Sequence, residues 1–142
     1  MVRTIAYPLI VGLKKTLEKA FSKKITVQYP EEKRDIPERF RGRPALVLDD
    51  NGRIKCVVCS LCVAICPPQA ISIEAGEGSD PSIRYPRKYI IDLGRCIYCG
   101  YCEQVCPKEA IKLTKEYELS QYDRSKLIYD LPKLIKQTSD TK

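Results

Sequence analysis

The sequence predicts an α+β fold in which two βαβ units form a pseudo-twofold repeat, with an N-terminal amphipathic helix and arm before them and a C-terminal extension after them. Three observations predict this fold. A cysteine-rich stretch at 56–67 recurs at 96–107. Short β-branched runs at 71–74 and 111–114 follow the two copies and are typical of strands. A similar run at 87–92 precedes the second copy and predicts the first strand of the second unit.

Both copies of the stretch have the spacing C-x2-C-x2-C-x3-C-P, and together they contain all eight cysteines of the chain. This is the pattern of bacterial ferredoxins of the two-cluster 4Fe–4S type. Three closely spaced cysteines wrap around one side of an iron–sulfur cube, and the fourth ligates the other cube. The pattern therefore predicts two 4Fe–4S clusters with crossed ligand sets: Cys56, Cys59, Cys62 and Cys106 for cluster 1, and Cys96, Cys99, Cys102 and Cys66 for cluster 2.

Other roles for the cysteines explain the pattern less well. A zinc site would use two C-x2-C pairs and leave the other cysteines unexplained. Four disulfides would suit a secreted protein, but no secretory signal is recognised, so we expect a reducing compartment. The chain contains no histidine, which excludes a Rieske-type centre and histidine-based acid–base catalysis. We therefore expect no catalytic residue and no substrate-binding site in this chain itself.

Positive charge is concentrated toward the N-terminus. The 142 residues include 25 basic and 18 acidic side chains, which give a net charge of +7. Residues 1–45 contain 11 of the basic and 5 of the acidic side chains. A basic segment suits an anionic surface or a partner protein. Nucleic acid is not expected as a partner, because no basic motif with interleaved aromatic residues is present.

Residues 1–24 are predicted to form a basic amphipathic helix that docks on a membrane surface or on a partner. Pro8 suits the first turn of this helix, and Leu9, Leu13 and Leu17 recur on one face. The apolar run is too short to cross a bilayer, whereas a basic amphipathic helix can lie in the membrane interface. A helix packed on its own domain is the alternative interpretation.

Residues 25–52 are predicted to be an extended arm that lies along a neighbouring subunit, with a solvated loop as the alternative. The segment is polar, and arginines surround Phe40 in E-R-F-R-G-R-P. A turn is expected at 50–52. The two-cluster domain is predicted to span 53–115. Within it, the Gly/Pro/Ser-rich stretch 75–87 is expected to be a surface loop or a loose hairpin between the units.

Residues 116–142 are predicted to form a C-terminal extension. Ser125 or Asp123 is expected to cap a short helix there, because both residue types favour the N-cap position. Pro132 argues against one uninterrupted helix. The polar residues 137–142 are expected to fray.

Several segments of the chain together resemble one family. They are T-V-Q-Y-P at 26–30, R-F-R-G at 39–42, the second cysteine motif, and the tail at 122–129. Over residues 5–135 the chain resembles the two-cluster ferredoxin-like subunit of the proton-pumping NADH:quinone oxidoreductase, respiratory complex I (subunit I, the TYKY type). Pro44 departs from the pattern, since the family often has histidine at that position.

The resemblance implies an electron-relay subunit in the peripheral arm of a membrane enzyme. Electrons are expected to pass through the two clusters from an upstream cluster-bearing subunit toward the terminal-cluster subunit. Other expected partners are the quinone-site subunit and the membrane anchor subunit, with residues 1–24 on the membrane surface. The expected location is peripheral, on the cytoplasmic side of the cell inner membrane. The alternatives are the equivalent relay of a membrane-bound hydrogenase or another complex I-like enzyme, and a free soluble ferredoxin.

Overall fold

The computed structural model describes residues 2–77 and 84–136. Two of the predictions fall partly or wholly outside this range. The predicted frayed end at 137–142 lies outside it, and so does the segment 78–83 within the predicted loop. The remaining predictions concern residues whose structure is described.

The chain divides into two compact units, Met1–Asp35 and Ile36–Lys142. The first unit contains helix α1 (Val2–Ala20), which ends before the predicted limit at residue 24. Over its described residues, 36–77 and 84–136, the second unit contains the strands, three short α-helices and a 3₁₀ helix. In chain order these elements are β1 (Pro44–Leu46), α2 (Leu61–Ile65), β2 (Ile71–Glu77), β3 (Arg84–Asp92), α3 (Tyr101–Val105), β4 (Ile111–Leu113), the 3₁₀ helix (Arg124–Leu127), β5 (Ile128–Tyr129) and α4 (Leu131–Lys136).

Helix α1 exposes an apolar face. The side chains of Leu9, Leu13 and Leu17 are 68%, 72% and 58% exposed. The helix begins at Val2 and includes Pro8 in its interior, so the prediction that Pro8 lies in its first turn is wrong. The φ of proline is compatible with a helix. Inside a helix, proline removes one backbone hydrogen bond because it has no N–H, and its ring crowds the preceding turn. Within the described residues, no helix is both long enough and apolar enough to span a bilayer.

The strands of the second unit pair between the two halves of the sequence repeat. β1 pairs antiparallel with β4, and Leu46 lies opposite Ile111. β2 pairs antiparallel with β3, and Ile71 lies opposite Ile91. β3 also pairs with β5, so the two sheets have the orders β1-β4 and β2-β3-β5. The β1-β4 pairing and the β2-β3 pairing therefore each join a strand from one half to a strand from the other.

The strands that flank the cysteine motifs were correctly predicted. β2 and β4 begin at Ile71 and Ile111, and β3 contains the predicted strand at 87–92. β2 and β3 stay paired as far as Glu77 and Arg84. The stretch between the motifs is therefore a hairpin, which was one of the two predicted alternatives.

Apolar side chains from both halves form one hydrophobic core. The cysteine loops pack against it, because one cysteine belongs to the core and five others contact it while partly buried. The buried members of the core are Leu46, Cys62, Ile71, Tyr89, Ile91, Leu93, Ile111 and Leu134. The loops that carry the cysteines therefore rest on a rigid support.

Part of the predicted arm, 25–52, forms regular structure in the second unit, which also contains the predicted domain, 53–115. Pro44–Leu46 are buried and form β1, the first strand of the second unit. These three residues form a strand because they pair with β4, whose edge would otherwise have unpaired backbone groups. Nearer the first motif, Leu48 and Ile54 make only an isolated bridge around the turn that was predicted there.

Arg43 is a charged side chain inside this fold. Its side chain is 0% exposed, and Nε donates a hydrogen bond to Oε2 of Glu116 at 2.6 Å. Nη1 donates to the carbonyl of Pro44 at 3.2 Å, and the guanidinium lies 5.6 Å from the ring centre of Tyr129. Within the described residues, Nη2 has no hydrogen-bond partner. The buried charge therefore depends strongly on the carboxylate of Glu116.

Replacing Glu116 with alanine is expected to lower the free energy of unfolding by about 3 kcal/mol, because a buried guanidinium then loses its counter-charge. Glu116 is 33% exposed, so water reaches the site and keeps the loss near the low end for such pairs. Loss of the visible cluster absorbance with increasing urea measures the effect. The matched control is Glu74→Ala, which breaks an exposed pair with Lys88. Equal urea midpoints for the two variants would contradict the assigned importance of the buried pair.

The C-terminal extension is integrated into the second unit. The carboxylate of Asp123 accepts a hydrogen bond from the N–H of Ser125 at 2.9 Å and caps the 3₁₀ helix, as one of the two predicted caps. β5 then interrupts the helical pattern, and α4 begins at Leu131 with Pro132 in its first turn. The prediction of an interrupted helix is therefore confirmed. Leu134 of α4 is 0% exposed and completes the core.

Candidate metal centre

Each cysteine motif folds as a tight loop followed by a short helix. Val58 and Tyr98, each two residues after the first cysteine of its motif, have left-handed φ values of 55° and 52°. Ser60 and Gly100, immediately before α2 and α3, also have positive φ values, of 62° and 84°. A positive φ is rare for a β-branched residue such as Val58. Such a conformation is found mainly where a site requires it. At the equivalent position of the second motif, the N–H of Tyr98 donates to Sγ of Cys96 at 3.4 Å.

Two cavities lie beside these loops. Cavity 1 has a volume of about 370 Å³, counting its open mouth, and four cysteines contribute to its wall. These are Cys56, Cys59 and Cys62 of the first motif and Cys106 of the second. Leu46, Ile73, Tyr89 and Ile111 form much of the remaining wall. A largely apolar site with four thiols is therefore assembled from both motifs.

Cavity 2 repeats this arrangement with the motifs exchanged. It has a volume of about 400 Å³, again counting its open mouth, and its wall includes Cys96, Cys99, Cys102 and Cys66. Pro44, Ile71, Ile91, Tyr98 and Leu113 form much of the rest. The fourth cysteine of each motif thus lines the cavity of the other motif. The structure brings together the same two sets of four cysteines that the spacing predicts.

Backbone N–H groups donate to the sulfurs in matching pairs. The N–H of Ala110 lies 3.2 Å from Sγ of Cys106, and the N–H of Ala70 lies 3.3 Å from Sγ of Cys66. In the second motif the N–H of Tyr98 also donates to Sγ of Cys96, at 3.4 Å. Backbone N–H groups at equivalent positions favour the thiolates of Cys56, Cys62 and Cys102 electrostatically, and they belong to Val58, Val63 and Glu103. The backbone dipoles near the sulfurs of the two cavities are therefore similar.

Tyr89 contributes a side-chain contact to cavity 1. Its hydroxyl oxygen lies 3.4 Å from Sγ of Cys62, and its side chain is 1% exposed. Burial, together with the nearby Cys62 sulfur, raises the pKa of Tyr89 well above its usual range, so the phenol keeps its proton at neutral pH. A thiolate has no proton to donate. When Cys62 is a ligand, the tyrosine hydroxyl is therefore the donor of this hydrogen bond.

The thiols themselves resist ionisation in this environment. Burial raises the pKa of Cys56, Cys62 and Cys96 above the ordinary range. Burial, reinforced by the neighbouring Cys96, raises the pKa of Cys102 to about 12. Since metals bind the thiolate, iron has to displace a proton from each of these groups. Cluster binding is therefore expected to release protons and to offset the cost of burying four thiolates.

The two cavities fit 4Fe–4S clusters better than single ions. Among the residues that the structure describes, no three Cys, His, Asp or Glu side chains lie close enough together to hold one metal ion. A tetrahedral zinc site needs four sulfurs roughly 4 Å apart, as its metal–sulfur bond length requires. In a 4Fe–4S cube each thiolate binds a different iron. The four sulfurs are therefore farther apart than the four ligands of a single zinc ion. Four sulfurs in the wall of one apolar cavity, too widely spaced for a single ion, match the ligand arrangement of the cube.

Arg41 supports the loop of cavity 2. Its Nη1 donates a hydrogen bond to the carbonyl of Cys99 at 2.6 Å. A Cβ at Gly100 would lie only 3.2 Å from Nε of Arg41, so the arginine and the left-handed glycine fit closely together. Arg41 and Arg43 of the predicted arm both bind their own chain, and docking of this segment on a neighbouring subunit stays a prediction.

Sequence reasoning did not identify Tyr89 or Arg41 as supporting residues. Alternation along β3 places Tyr89 on the same face as Ile91, which lines cavity 2, and this pattern was available as a signal. Arg41 follows no comparable pattern. Its contact spans 58 residues of the sequence and depends on the register of the folded chain.

Comparisons with known proteins agree with this site. The 4Fe-4S dicluster domain family matches residues 55–110. NADH-quinone oxidoreductase subunit I 2 of Geobacter metallireducens is 42% identical over 130 residues, which cover 92% of this chain and 98% of that protein. NADH-quinone oxidoreductase subunit I 1 of Geobacter sulfurreducens is 44% identical over 130 residues, which cover 92% and 97%.

Among solved structures, the chain is similar to a chain of the membrane-bound sulfane sulfur reductase, an archaeal respiratory membrane complex. The TM-score is 0.53 at 33% sequence identity. The match covers 78% of this chain and 54% of the other chain. The shared fold is therefore accompanied by clear sequence similarity.

These findings establish the cofactors and the family. The matched dicluster family covers both cysteine motifs, and the two cavities suit the same cofactor. Two 4Fe–4S clusters are therefore the cofactors of this chain, as the spacing predicts. Curated relatives match nearly the whole chain at more than 40% identity. This chain belongs to the NADH-quinone oxidoreductase subunit I family.

Proposed function

We propose that this chain is the electron-relay subunit of a membrane-associated NADH:quinone oxidoreductase. It receives electrons from a cluster of an upstream subunit and passes them toward the terminal cluster beside the quinone site. The observation that carries this proposal is the presence of two neighbouring four-cysteine cavities, joined by the packing of α2 against α3. Full-length similarity to subunits of that name supports the identity of the enzyme.

We further propose the ligand sets of the two clusters. Cluster 1 occupies cavity 1, and cluster 2 occupies cavity 2, so each set takes its fourth cysteine from the other motif. Two repeated features support this assignment and a pseudo-twofold relation between the halves. Residues with left-handed φ recur after 40 residues. The alanine N–H groups that donate to the crossing cysteines are also 40 residues apart. The ligands are Cys56, Cys59, Cys62 and Cys106 for cluster 1, and Cys96, Cys99, Cys102 and Cys66 for cluster 2.

When bound, the clusters supply reversible one-electron transfer. The protein holds them at fixed positions and controls their surroundings. Apolar side chains such as Leu46 and Ile91 keep water away, and the backbone N–H groups point their dipoles at the sulfurs. Within this proposal the chain needs no catalytic base and no substrate pocket, because its task is conduction.

Helix α1 is proposed to hold the chain at the membrane surface. Its exposed leucines provide an apolar face, and Lys14, Lys15 and Lys19 lie in the same helix. This combination suits an interfacial helix on an anionic leaflet. The proposed location is the cytoplasmic side of the cell inner membrane, beside the membrane anchor subunit. The upstream cluster-bearing, terminal-cluster and quinone-site subunits are the proposed neighbours of the second unit.

A second candidate differs only in the electron donor and acceptor. The similar chain of known structure belongs to a membrane-bound sulfane sulfur reductase. This similarity favours a relay subunit in another membrane-bound respiratory complex, such as a hydrogenase, as the alternative. The cavities, the clusters and the conduction role are the same in both candidates.

The experiment that tests the proposal is purification of the chain from its native membranes in mild detergent, followed by an assay of NADH-driven quinone reduction. Co-purification of flavin and NADH-dependent activity is the expected result. A complex that ignores NADH but is reduced by hydrogen or by reduced ferredoxin would overturn the assigned donor and favour the second candidate. A lone chain in the soluble fraction would overturn the relay proposal itself.

A further inference from the structure

We propose that the Tyr89 hydroxyl is a positioning donor that raises the reduction potential of cluster 1 and thereby makes the two clusters inequivalent. The inference rests on the proposed ligand sets and goes beyond them, because it names the residue that tunes one cluster and not the other. Its basis is a comparison of the two cavities. They match in the backbone donors to their crossing cysteines and differ in one side-chain donor.

The backbone contribution is similar on both sides. At each cluster, a backbone N–H two residues after the first cysteine and another at the residue after the third favour the thiolate electrostatically. Of these groups, the N–H of Tyr98 donates a hydrogen bond to Sγ of Cys96 at 3.4 Å. The crossing cysteines each accept from an alanine N–H four residues later, at 3.2 Å for Cys106 and 3.3 Å for Cys66. Backbone dipoles alone therefore give the two clusters similar stabilisation of negative charge.

The side-chain contribution is different. Tyr89 lies opposite Ile73 in the β2-β3 pair, and the residue 40 positions after Ile73 is Leu113. Leu113 lies opposite Pro44 in the β1-β4 pair. The position that holds a tyrosine at cavity 1 therefore holds a proline at cavity 2, and each of these residues lines its cavity. Proline has no hydroxyl, so among the described residues this register position supplies an O–H donor to one cluster only.

The electrostatic direction follows from the charge of the cluster. Reduction adds one negative charge to an already anionic group. A hydrogen bond to a ligand sulfur stabilises the more negative state more strongly, which raises the reduction potential. The Tyr89 side chain is 1% exposed, so water cannot replace its hydroxyl as a donor at Cys62. The tyrosine therefore favours placing an electron on cluster 1.

The test is a redox titration of the purified complex, followed by electron paramagnetic resonance. Loss of a signal in Cys56→Ser identifies cluster 1, and loss in Cys96→Ser identifies cluster 2. Tyr89→Phe removes the hydroxyl and keeps the ring. We expect the midpoint potential of the cluster 1 signal to fall and that of cluster 2 to remain unchanged. The matched control is Tyr85→Phe, on the same strand with a side chain 45% exposed.

Three results would overturn the inference: no shift of either midpoint, a shift confined to cluster 2, or an equal shift in the control. If Tyr89→Phe does not assemble, 3-fluorotyrosine at position 89 keeps the ring and hydroxyl and makes the phenol a stronger donor. The cluster 1 midpoint is then expected to rise, and an unchanged midpoint overturns the inference. Failure of the relay proposal remains separately visible, because electron delivery from NADH is measured in the same preparation and does not depend on the midpoint shift.

Discussion

Replacing Cys106 with serine is expected to eliminate cluster 1, although Cys106 belongs to the motif that we propose supplies three ligands of cluster 2. The reason is geometric, because Cys106 lines cavity 1 together with the first three cysteines of the other motif. A serine oxygen is a harder and poorer ligand for iron than a thiolate. Mutation of a group that only supports a metal ligand lowers metal affinity or activity by about 10–100-fold. We therefore expect at least about a tenfold loss of electron flow from losing a ligand itself.

Paramagnetic resonance of the reduced complex measures this outcome. The signal lost in Cys106→Ser should be the one lost in Cys56→Ser, and the Cys96→Ser signal should persist. Cys66→Ser is the matched variant at the equivalent position, and it should give the reverse pattern. Loss of cluster 2 in Cys106→Ser, with cluster 1 retained, would mean that the ligand sets do not cross.

Removing residues 1–24 is expected to release the chain from membranes while both clusters remain intact. Every residue that lines either cavity lies in the unit Ile36–Lys142. The removed segment contains the exposed leucines of α1 and six of the basic side chains. Each basic residue close to an anionic membrane contributes about 1 kcal/mol of binding free energy. Most of the chain should therefore move from the membrane pellet to the supernatant.

Sedimentation followed by absorbance near the visible cluster band measures both parts of this prediction. The triple variant Leu9→Ser, Leu13→Ser, Leu17→Ser keeps all the charges and should release the chain to a similar extent, because it removes the apolar face. A matched polar control is Thr16→Ser, which retains the hydroxyl on the same helix. Retention of the truncated chain in the pellet would contradict the anchoring role of α1.

The cofactor site was predictable because its signal is local. Cysteine spacing fixes which sulfurs lie on one loop, and β-branched runs identify the strands after each motif. β1 was missed for the opposite reason: Pro44–Leu46 is too short to show alternation, and its pairing with β4 spans about half of the chain. The burial of Arg43 was not predictable either. A polar segment rich in arginine suggests contact with a neighbouring subunit or with solvent, whereas Arg43 is buried and pairs with the carboxylate of Glu116, 73 residues away.

The paired strands also constrain how such a protein can be made. β1 pairs with β4 and β2 pairs with β3, so neither half of the repeat contains the hydrogen-bonding partners of its own strands. A ribosome that has synthesised only the first motif has produced three sulfurs of one site and one sulfur of the other. With the proposed ligand sets, iron cannot complete cluster 2 until Cys102 has emerged, or cluster 1 until Cys106 has emerged, and the distant strands also have to meet. Completion of each site therefore depends on both motifs, and the chain cannot be divided into two independent single-cluster proteins.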